Sequence, residues 1–193
     1  MKKLFTILTV IALTTTTSLA QAQFGATAGL NMANVSGDDD MEGDMKMGMH
    51  VGVSASFELS DAMTLKTGAL YSMKGMQESL DGETLKFNLD YIEIPVNLSF
   101  AVSDQMSLMA GPYIGLLMSA KVMYDGDELF DMKDDMRAMD FGINIGAGFA
   151  VTEVISINAG YQMGLTSLDE DGDGDAKNSN ILIGMTYSFG GGY

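Results

Sequence analysis

The sequence predicts an all-β domain of eight antiparallel strands in up-and-down order, and three observations support this prediction. A twelve-residue pattern occurs three times, as FELSDAMTLKTG (57–68), FAVSDQMSLMAG (100–111) and FAVTEVISINAG (149–160). On both sides of the polar break in each copy, apolar residues alternate with polar or small ones, which is typical of a strand with one apolar face. Short and long connections also alternate strictly along the chain. Each copy is therefore predicted to be a tight hairpin.

The eight strands extend outward from these breaks. They are predicted at 24–35, 46–59, 62–74, 87–102, 105–120, 139–151, 154–167 and 179–189. The long connections are 36–45, 75–86, 121–138 and 169–179. In an up-and-down order the three short turns share one end of the barrel, and the four long connections share the other. Outer-membrane barrels have this asymmetry, with short periplasmic turns and long external loops.

The first 22 residues read as a secretory signal peptide. Two lysines precede an apolar run from Leu4 to Leu13, and Ala20 and Ala22 form an A-x-A cleavage pattern. A transmembrane helix needs about 20 mostly apolar residues, but threonines interrupt this run from Thr14 onward. We therefore predict Sec-type export and a single mature domain, 23–193.

Composition limits the classes of partner. The chain carries 26 acidic and 10 basic residues, a net charge of −16, which argues against nucleic acid because phosphate backbones are bound by Lys and Arg. The hydrophobic fraction of 47% argues against a disordered acidic polymer. Most acids lie in the long connections, so charge is separated from the apolar strands. Cysteine is absent, so an exported chain is predicted to fold without disulfides.

The two faces of each strand differ in bulk. In the last two strands, one set is bulky and apolar: Ile155, Ile157, Ala159, Tyr161, Met163, Leu165, Ile181, Ile183, Met185, Tyr187 and Phe189. The alternate positions are mostly small or polar. The interior of an eight-stranded barrel is only wide enough for its own side chains, so the bulky set is predicted to face lipid. A soluble ligand-binding barrel would reverse this assignment, with the bulky set lining a cavity.

The face assignment gives the repeated phenylalanine a role. Phe57, Phe100 and Phe149 each precede a short turn on the outward face, and Phe189 ends the last strand. They are predicted to form an aromatic belt at the periplasmic interface.

Four titratable residues are predicted to point inward on neighbouring strands: His50, Glu58, Lys66 and Glu93. Buried charges persist when they are paired, so we expect a polar network inside the barrel in which Lys66 pairs with Glu58 or Glu93. A catalytic cluster is the alternative, but no nucleophile motif accompanies these residues, and we predict that the protein is not an enzyme.

The segment DEDGDGD (169–175) contains closely spaced carboxylates. Asp169, Asp171 and Asp173 follow the D-x-D-x-D-G order that begins an EF-hand loop, and Asp175 adds a fourth acid. The twelfth position is Asn180 instead of a bidentate Glu. The segment is therefore predicted either to bind Ca²⁺ weakly or to be a solvated acidic loop; no other cofactor is expected.

Four segments resemble the PorT-like outer membrane beta-barrel family of Bacteroidota and, more loosely, the small OmpX and OmpA barrels. They are LDYIEIPVNLSF (89–100), AGPYIGLLMSA (110–120), DFGINIGAGF (140–149) and the closing GMTYSF. The resemblance spans the mature chain and implies an outer-membrane barrel; PorT itself is tied to protein secretion. Gly184, Tyr187 and Phe189 also resemble the terminal signal that the barrel-assembly machinery reads.

These observations predict an integral outer-membrane barrel with a structural, surface-interaction or export-associated role. Its expected partners are outer-membrane lipid and lipopolysaccharide, the assembly machinery during biogenesis, and an envelope or secretion protein. A narrow pore and the soluble ligand-binding barrel are the alternatives.

Overall fold

The computed structural model describes residues 22–37, 43–80, 83–169 and 176–189. These residues form nine strands: β1 (Ala22–Ser36), β2 (Asp44–Ser60), β3 (Met63–Leu80), β4 (Glu83–Ala101), β5 (Met106–Tyr124), β6 (Asp127–Asp131), β7 (Met139–Ala150), β8 (Ile155–Gly164) and β9 (Lys177–Ser188). One 3-10 turn follows β6, at Lys133–Asp135. Apart from Ala22, the predicted signal peptide lies outside the described residues.

Eight of the nine strands form a closed ring. Each pairs antiparallel with its sequence neighbour, except that β5 pairs with both β6 and β7, and β1 pairs with β9 to close the sheet. The predicted eight-stranded up-and-down barrel is therefore confirmed. The strand that the sequence analysis missed, β6, forms a hairpin with the end of β5, outside the ring. Among the described residues, no helix is long and apolar enough to cross a membrane.

Two of the three short turns give the Ser or Thr of the repeated pattern a structural role. In the β4–β5 turn, the Ser103 hydroxyl oxygen accepts the backbone N–H of Met106 at 3.0 Å. In the β7–β8 turn, Thr152 does the same for Ile155 at 3.0 Å. A side-chain oxygen here satisfies backbone donors that the strand ladder leaves free.

The outward face is apolar along the ring. On β2, the side chains of Met47, Met49, Val51 and Val53 are all more than half exposed, whereas His50 between them is 5% exposed. Strands β8 and β9 show the same alternation, with Ile157, Tyr161, Ile183 and Met185 exposed. The bulky set therefore faces outward, and the reversed assignment of a soluble ligand-binding barrel is wrong.

On one side of the barrel the strands extend beyond the apolar band. Strands β3, β4 and β5 have 18, 19 and 19 residues, and a transmembrane strand needs about 9–11. The extra length lies at the end with the long connections, where β5 and β6 form a hairpin. Asp125 (φ 47°) and Gly126 (φ 98°) occupy its turn, and two consecutive positive φ values are typical of a type I′ hairpin.

Candidate functional site in the barrel interior and at its external rim

A buried ion cluster lies at the centre of the barrel. The Lys74 ammonium on β3 forms an ion pair with Glu93 on β4 and lies 3.9 Å from a carboxylate oxygen of Asp140 on β7. All three side chains are at most 2% exposed. Lys74 also lies 4.5 Å from the ring centre of Tyr113, a distance that permits a cation–π contact. One cation therefore joins three strands across the interior.

Neutral side chains surround the Asp140 carboxylate with donors. Asn178 Nδ2 donates to it at 2.9 Å, and the hydroxyls of Tyr113 and Thr166 each donate at 3.1 Å. Asn178 Nδ2 also lies 3.2 Å from the Tyr91 hydroxyl. The Asp140 carboxylate thus accepts hydrogen bonds from β5, β9 and the segment after β8, which is how a buried charge is kept satisfied.

Interior glycines make room for the aromatic rings of this cluster. A Cβ on Gly142 would lie 2.6 Å from the Cζ atom of Tyr113, so the ring occupies space that any other residue would fill. The small residues predicted on the inward face therefore include Gly142, which leaves room for the ring of Tyr113. Tyr113 is only 1% exposed.

The only histidine belongs to a neighbouring layer of the interior. His50 Nδ1 is 2.8 Å from Asn31 Oδ1, and Asn31 Nδ2 donates to Ser72 Oγ at 3.0 Å. The hydrogen bonds among the His50 imidazole, the Asn31 amide and the Ser72 hydroxyl therefore join β1, β2 and β3.

An apolar cluster closes the interior toward the long connections. It comprises Val35, Leu89, Tyr91, Leu117, Ala120 and Leu168, with Met76, Met132, Met136 and Ala176 packed against it. Arg137 fixes two of the covering segments, because its Nε donates to Ser167 O at 3.1 Å. The interior is therefore filled by polar layers at its centre and covered by apolar side chains at this end.

The structure separates the four inward residues that the sequence grouped. His50 and Glu93 are buried in the layers described above, whereas Lys66 is half-buried nearer the short turns, opposite Ser56 and Asn97. Glu58 is exposed at the rim, where β2 has a register shift. Glu93 pairs with Lys74, so the predicted pairing of Lys66 with Glu58 or Glu93 is wrong.

Sequence reasoning overlooked Lys74 and Asp140, although both carried a signal. Lys74 lies an even number of residues after Lys66 on the predicted strand 62–74, so alternation already placed it inward. Asp140 is the second residue of the predicted strand 139–151. A count of every charged residue on the inward face would have found both.

Aromatic side chains surround the barrel at the end with the short turns. Phe100, Phe149 and Phe189 are exposed on the outward face and Phe57 is half-buried there. Phe24 adds a fifth ring that the sequence analysis missed, since it is 58% exposed and its carbonyl accepts the Phe189 N–H at 2.7 Å. Tyr187 and Phe189 pack edge to face, with ring centres 6.0 Å apart.

The predicted calcium loop lies mostly outside the described residues. Asp171, Asp173 and Asp175 are not described, and Asp169 forms an isolated bridge with Met136. Within the described part of the chain, no group of three or more His, Asp or Glu side chains is arranged to hold a metal ion.

The β5–β6 hairpin presents an acidic and apolar surface outside the ring. Leu129 and Phe130 are 53% and 54% exposed, and every residue of the strand Asp127–Asp131 is exposed. Glu128 accepts a hydrogen bond from Lys121 at 2.6 Å, and this contact raises the pKa of the Lys121 ammonium. In the described residues β6 pairs with β5 alone, so its second edge is open.

Comparison with known proteins identifies the class. The family described as "Outer membrane protein beta-barrel domain" matches residues 17–170, most of the chain, so the chain belongs to this family. Membership implies an outer-membrane location. No curated protein sequence matches the chain.

Solved structures of small barrels share the fold. Neisserial surface protein A has 18% identity and a TM-score of 0.62, over 87% of this chain and 99% of that one. Ail, the attachment invasion locus protein of Yersinia pestis, was solved in complex with the heparin analogue sucrose octasulfate. It has 18% identity and a TM-score of 0.53, over 88% of this chain and 99% of that one. At such identity the likeness concerns the fold alone.

Proposed function

We propose that this protein is a closed outer-membrane barrel that acts through its external surface, as a structural or docking element of the envelope. The observation that carries the proposal is the filled interior. The Lys74–Glu93–Asp140 cluster and the apolar cover above it occupy the space that a solute path would need. The surface left for function is the acidic end with the long connections, because loops carry function on rigid scaffolds.

The open edge of β6 is the element best suited to receive a partner. An unpaired strand edge is a template for an added strand, and the acids of the hairpin favour a cationic segment. The resemblance to PorT-like barrels extends the proposal to a partner within an export assembly. We propose no catalytic activity, because the Glu93 and Asp140 carboxylates of the interior cluster are buried and paired with Lys74.

Cysteine labelling tests the orientation on which this proposal depends. The chain has no cysteine, so Leu129→Cys places one thiol on the hairpin and Asp104→Cys places one in a short turn, both at exposed positions. On intact cells, a membrane-impermeant maleimide should label Leu129→Cys, and should label Asp104→Cys only after lysis. The reverse pattern would overturn the orientation, and labelling of both on intact cells would show that the protein does not span the membrane.

Single-channel recording tests the closed interior. In planar bilayers, the purified protein should give no discrete conductance steps at neutral pH and moderate voltage, because the ion cluster and apolar cover leave no water path. A general porin added to the same bilayer is the positive control. Reproducible steps from the wild-type protein would favour the narrow pore.

We also propose that Gly184, Tyr187 and Phe189 serve as the assembly signal. Phe189→Ala should slow insertion by the purified assembly machinery, followed as appearance of the heat-modifiable band. Phe24→Ala is the matched control, since Phe24 and Phe189 are exposed to 58% and 62% at the same end. Equal slowing of both variants would mean that loss of an interfacial ring, and no terminal signal, is responsible.

A further inference from the structure

A groove on the outer wall joins two lysines to neutral polar side chains. It has a volume of about 350 Å³ and is lined by Lys46, Met47, Met73, Gln77, Lys86, Asn88, Met123 and Gly126. Ladder pairs place Lys86 beside Gln77 on β3 and beside Met123 on β5. The inward neighbours Leu89 and Val122 are buried at 4% and 2% exposure, so alternation puts Lys86, Asn88 and Met123 on the outer surface.

Lys46 reaches this groove from an interruption of the sheet. The β2–β3 ladder breaks between Met45 and His50, and Gly75 opposite has a φ of +116°. The Lys46 ammonium donates one of its three N–H groups to Lys74 O at 2.8 Å. The side chain is 5% exposed, so the ammonium lies at the floor of the groove. Both lysines line the groove, and the Asp90 carboxylate interacts electrostatically with Lys46.

The groove lies at head-group height. On β4 the outward residues below it are Ile92, Ile94, Val96, Leu98 and Phe100. Nine residues from Ile92 to Phe100 span about 27 Å along the strand, which at a tilt of about 35–45° gives about 19–22 Å of height, most of an apolar band about 25 Å tall. The next outward positions are Asp90, Asn88 and Lys86. The Asp90 carboxylate accepts a hydrogen bond from the Tyr71 hydroxyl at 2.7 Å. Tyrosine is enriched at membrane interfaces, where its ring is apolar and its hydroxyl is hydrogen-bonded.

We propose that this groove binds the phosphate of an outer-leaflet glycolipid of the lipid A type. Lys46 and Lys86 would pair with the phosphate, the Gln77 and Asn88 amides would donate to its oxygens, and Met47, Met73 and Met123 would contact the apolar part near the head group. Two ammonium groups against the one Asp90 carboxylate leave a net positive charge that favours an anion, and the apolar band directly below favours a lipid over a free anion. The proposal rests on the orientation proposed above, with this end outside the cell.

The test compares two lysines on the same outer face. Lys86→Gln and Lys121→Gln remove the same charge, but the Lys121 ammonium is held by Glu128 and does not line the groove. Binding of bisphosphorylated lipid A to the detergent-solubilised protein, measured by native mass spectrometry, should fall about tenfold in Lys86→Gln, the loss expected for one charged hydrogen bond. Lys121→Gln should bind as the wild type does.

Two further probes identify the source of the phosphate. Dephosphorylated lipid A should bind the wild type and Lys86→Gln equally, and millimolar inorganic phosphate should not displace lipid A. Displacement by phosphate would overturn the lipid assignment in favour of a free-anion site. Equal affinity of Lys86→Gln and wild type for bisphosphorylated lipid A, or an equal loss of affinity in Lys121→Gln, would overturn the assignment of this groove as the binding site. These assays use purified protein, so they are independent of the labelling experiment that tests orientation.

Discussion

Replacing Lys74 by methionine should lower the free energy of unfolding by about 3–5 kcal/mol, the loss typical of breaking a buried ion pair from one side. Lys74 is fully buried between Glu93 and Asp140, so its removal leaves two buried carboxylates without their cation. Methionine keeps much of the volume, which limits the contribution of a cavity. Urea titration of the protein in detergent micelles, followed by the gel shift between folded and unfolded forms, measures the change.

A control and a double variant separate the charge effect from packing. Lys121→Met removes an exposed lysine from its pair with Glu128 and should leave stability unchanged, because exposed pairs contribute little. Lys74→Met combined with Glu93→Gln should be more stable than Lys74→Met alone, since one orphaned charge is removed. Glu93→Gln alone completes the comparison. If the stability lost in the double variant equalled the sum of the losses in the two single variants, the two residues would act independently, which would contradict the paired cluster.

Gly29→Val is expected to prevent closure of the barrel. Gly29 on β1 lies opposite Gly184 on β9 and His50 on β2. A Cβ at this position would lie 2.5 Å from the Cα of Gly184 and 2.6 Å from Cε1 of His50. Overpacking in a core costs about 1–3 kcal/mol when side chains can move aside; here backbone blocks the new atoms, so the cost should exceed that range. The folded, heat-modifiable band should be lost.

Ala28→Val is the matched control for this substitution. Ala28 is the neighbouring residue on β1, but its side chain is exposed on the outer face, where lipid can accommodate the two added methyl groups. This variant should fold as the wild type does. If Gly29→Val also folded normally, the tight approach of β1, β2 and β9 at this level would be contradicted.

Alternation along the strands was sufficient to predict the fold. The eight ring strands and their faces follow from a period of two and from the position of the short turns, and most of the bulky set on β8 and β9 is exposed as predicted. The missed hairpin also had a local signal: Asp125-Gly126 is the dipeptide that favours a type I′ turn. It was overlooked because the acidic residues around it were interpreted as a loop.

The ion cluster shows where alternation stops being informative. It assigns Lys66, Lys74 and Glu93 to the interior but does not say which of them meet. In the ladder, Lys74 lies opposite Leu89, and Glu93 lies opposite Leu70. The ion pair therefore joins residues that are not ladder partners, because tilted strands of a barrel bring residues of different registers to the same height.

The sequence by itself determined the number of ring strands, the face that meets lipid and the end that carries the acidic connections, because each depends on local periodicity and turn chemistry. Only the tertiary structure decided which inward charges pair, how Asp140 and Asn178 reach each other across 38 positions, and that Lys46 and Lys86 border one groove. Those contacts depend on strand tilt, on the register shift of β2 against β3 between Met45 and His50, and on closure of β1 against β9, and all three are properties of the complete ring.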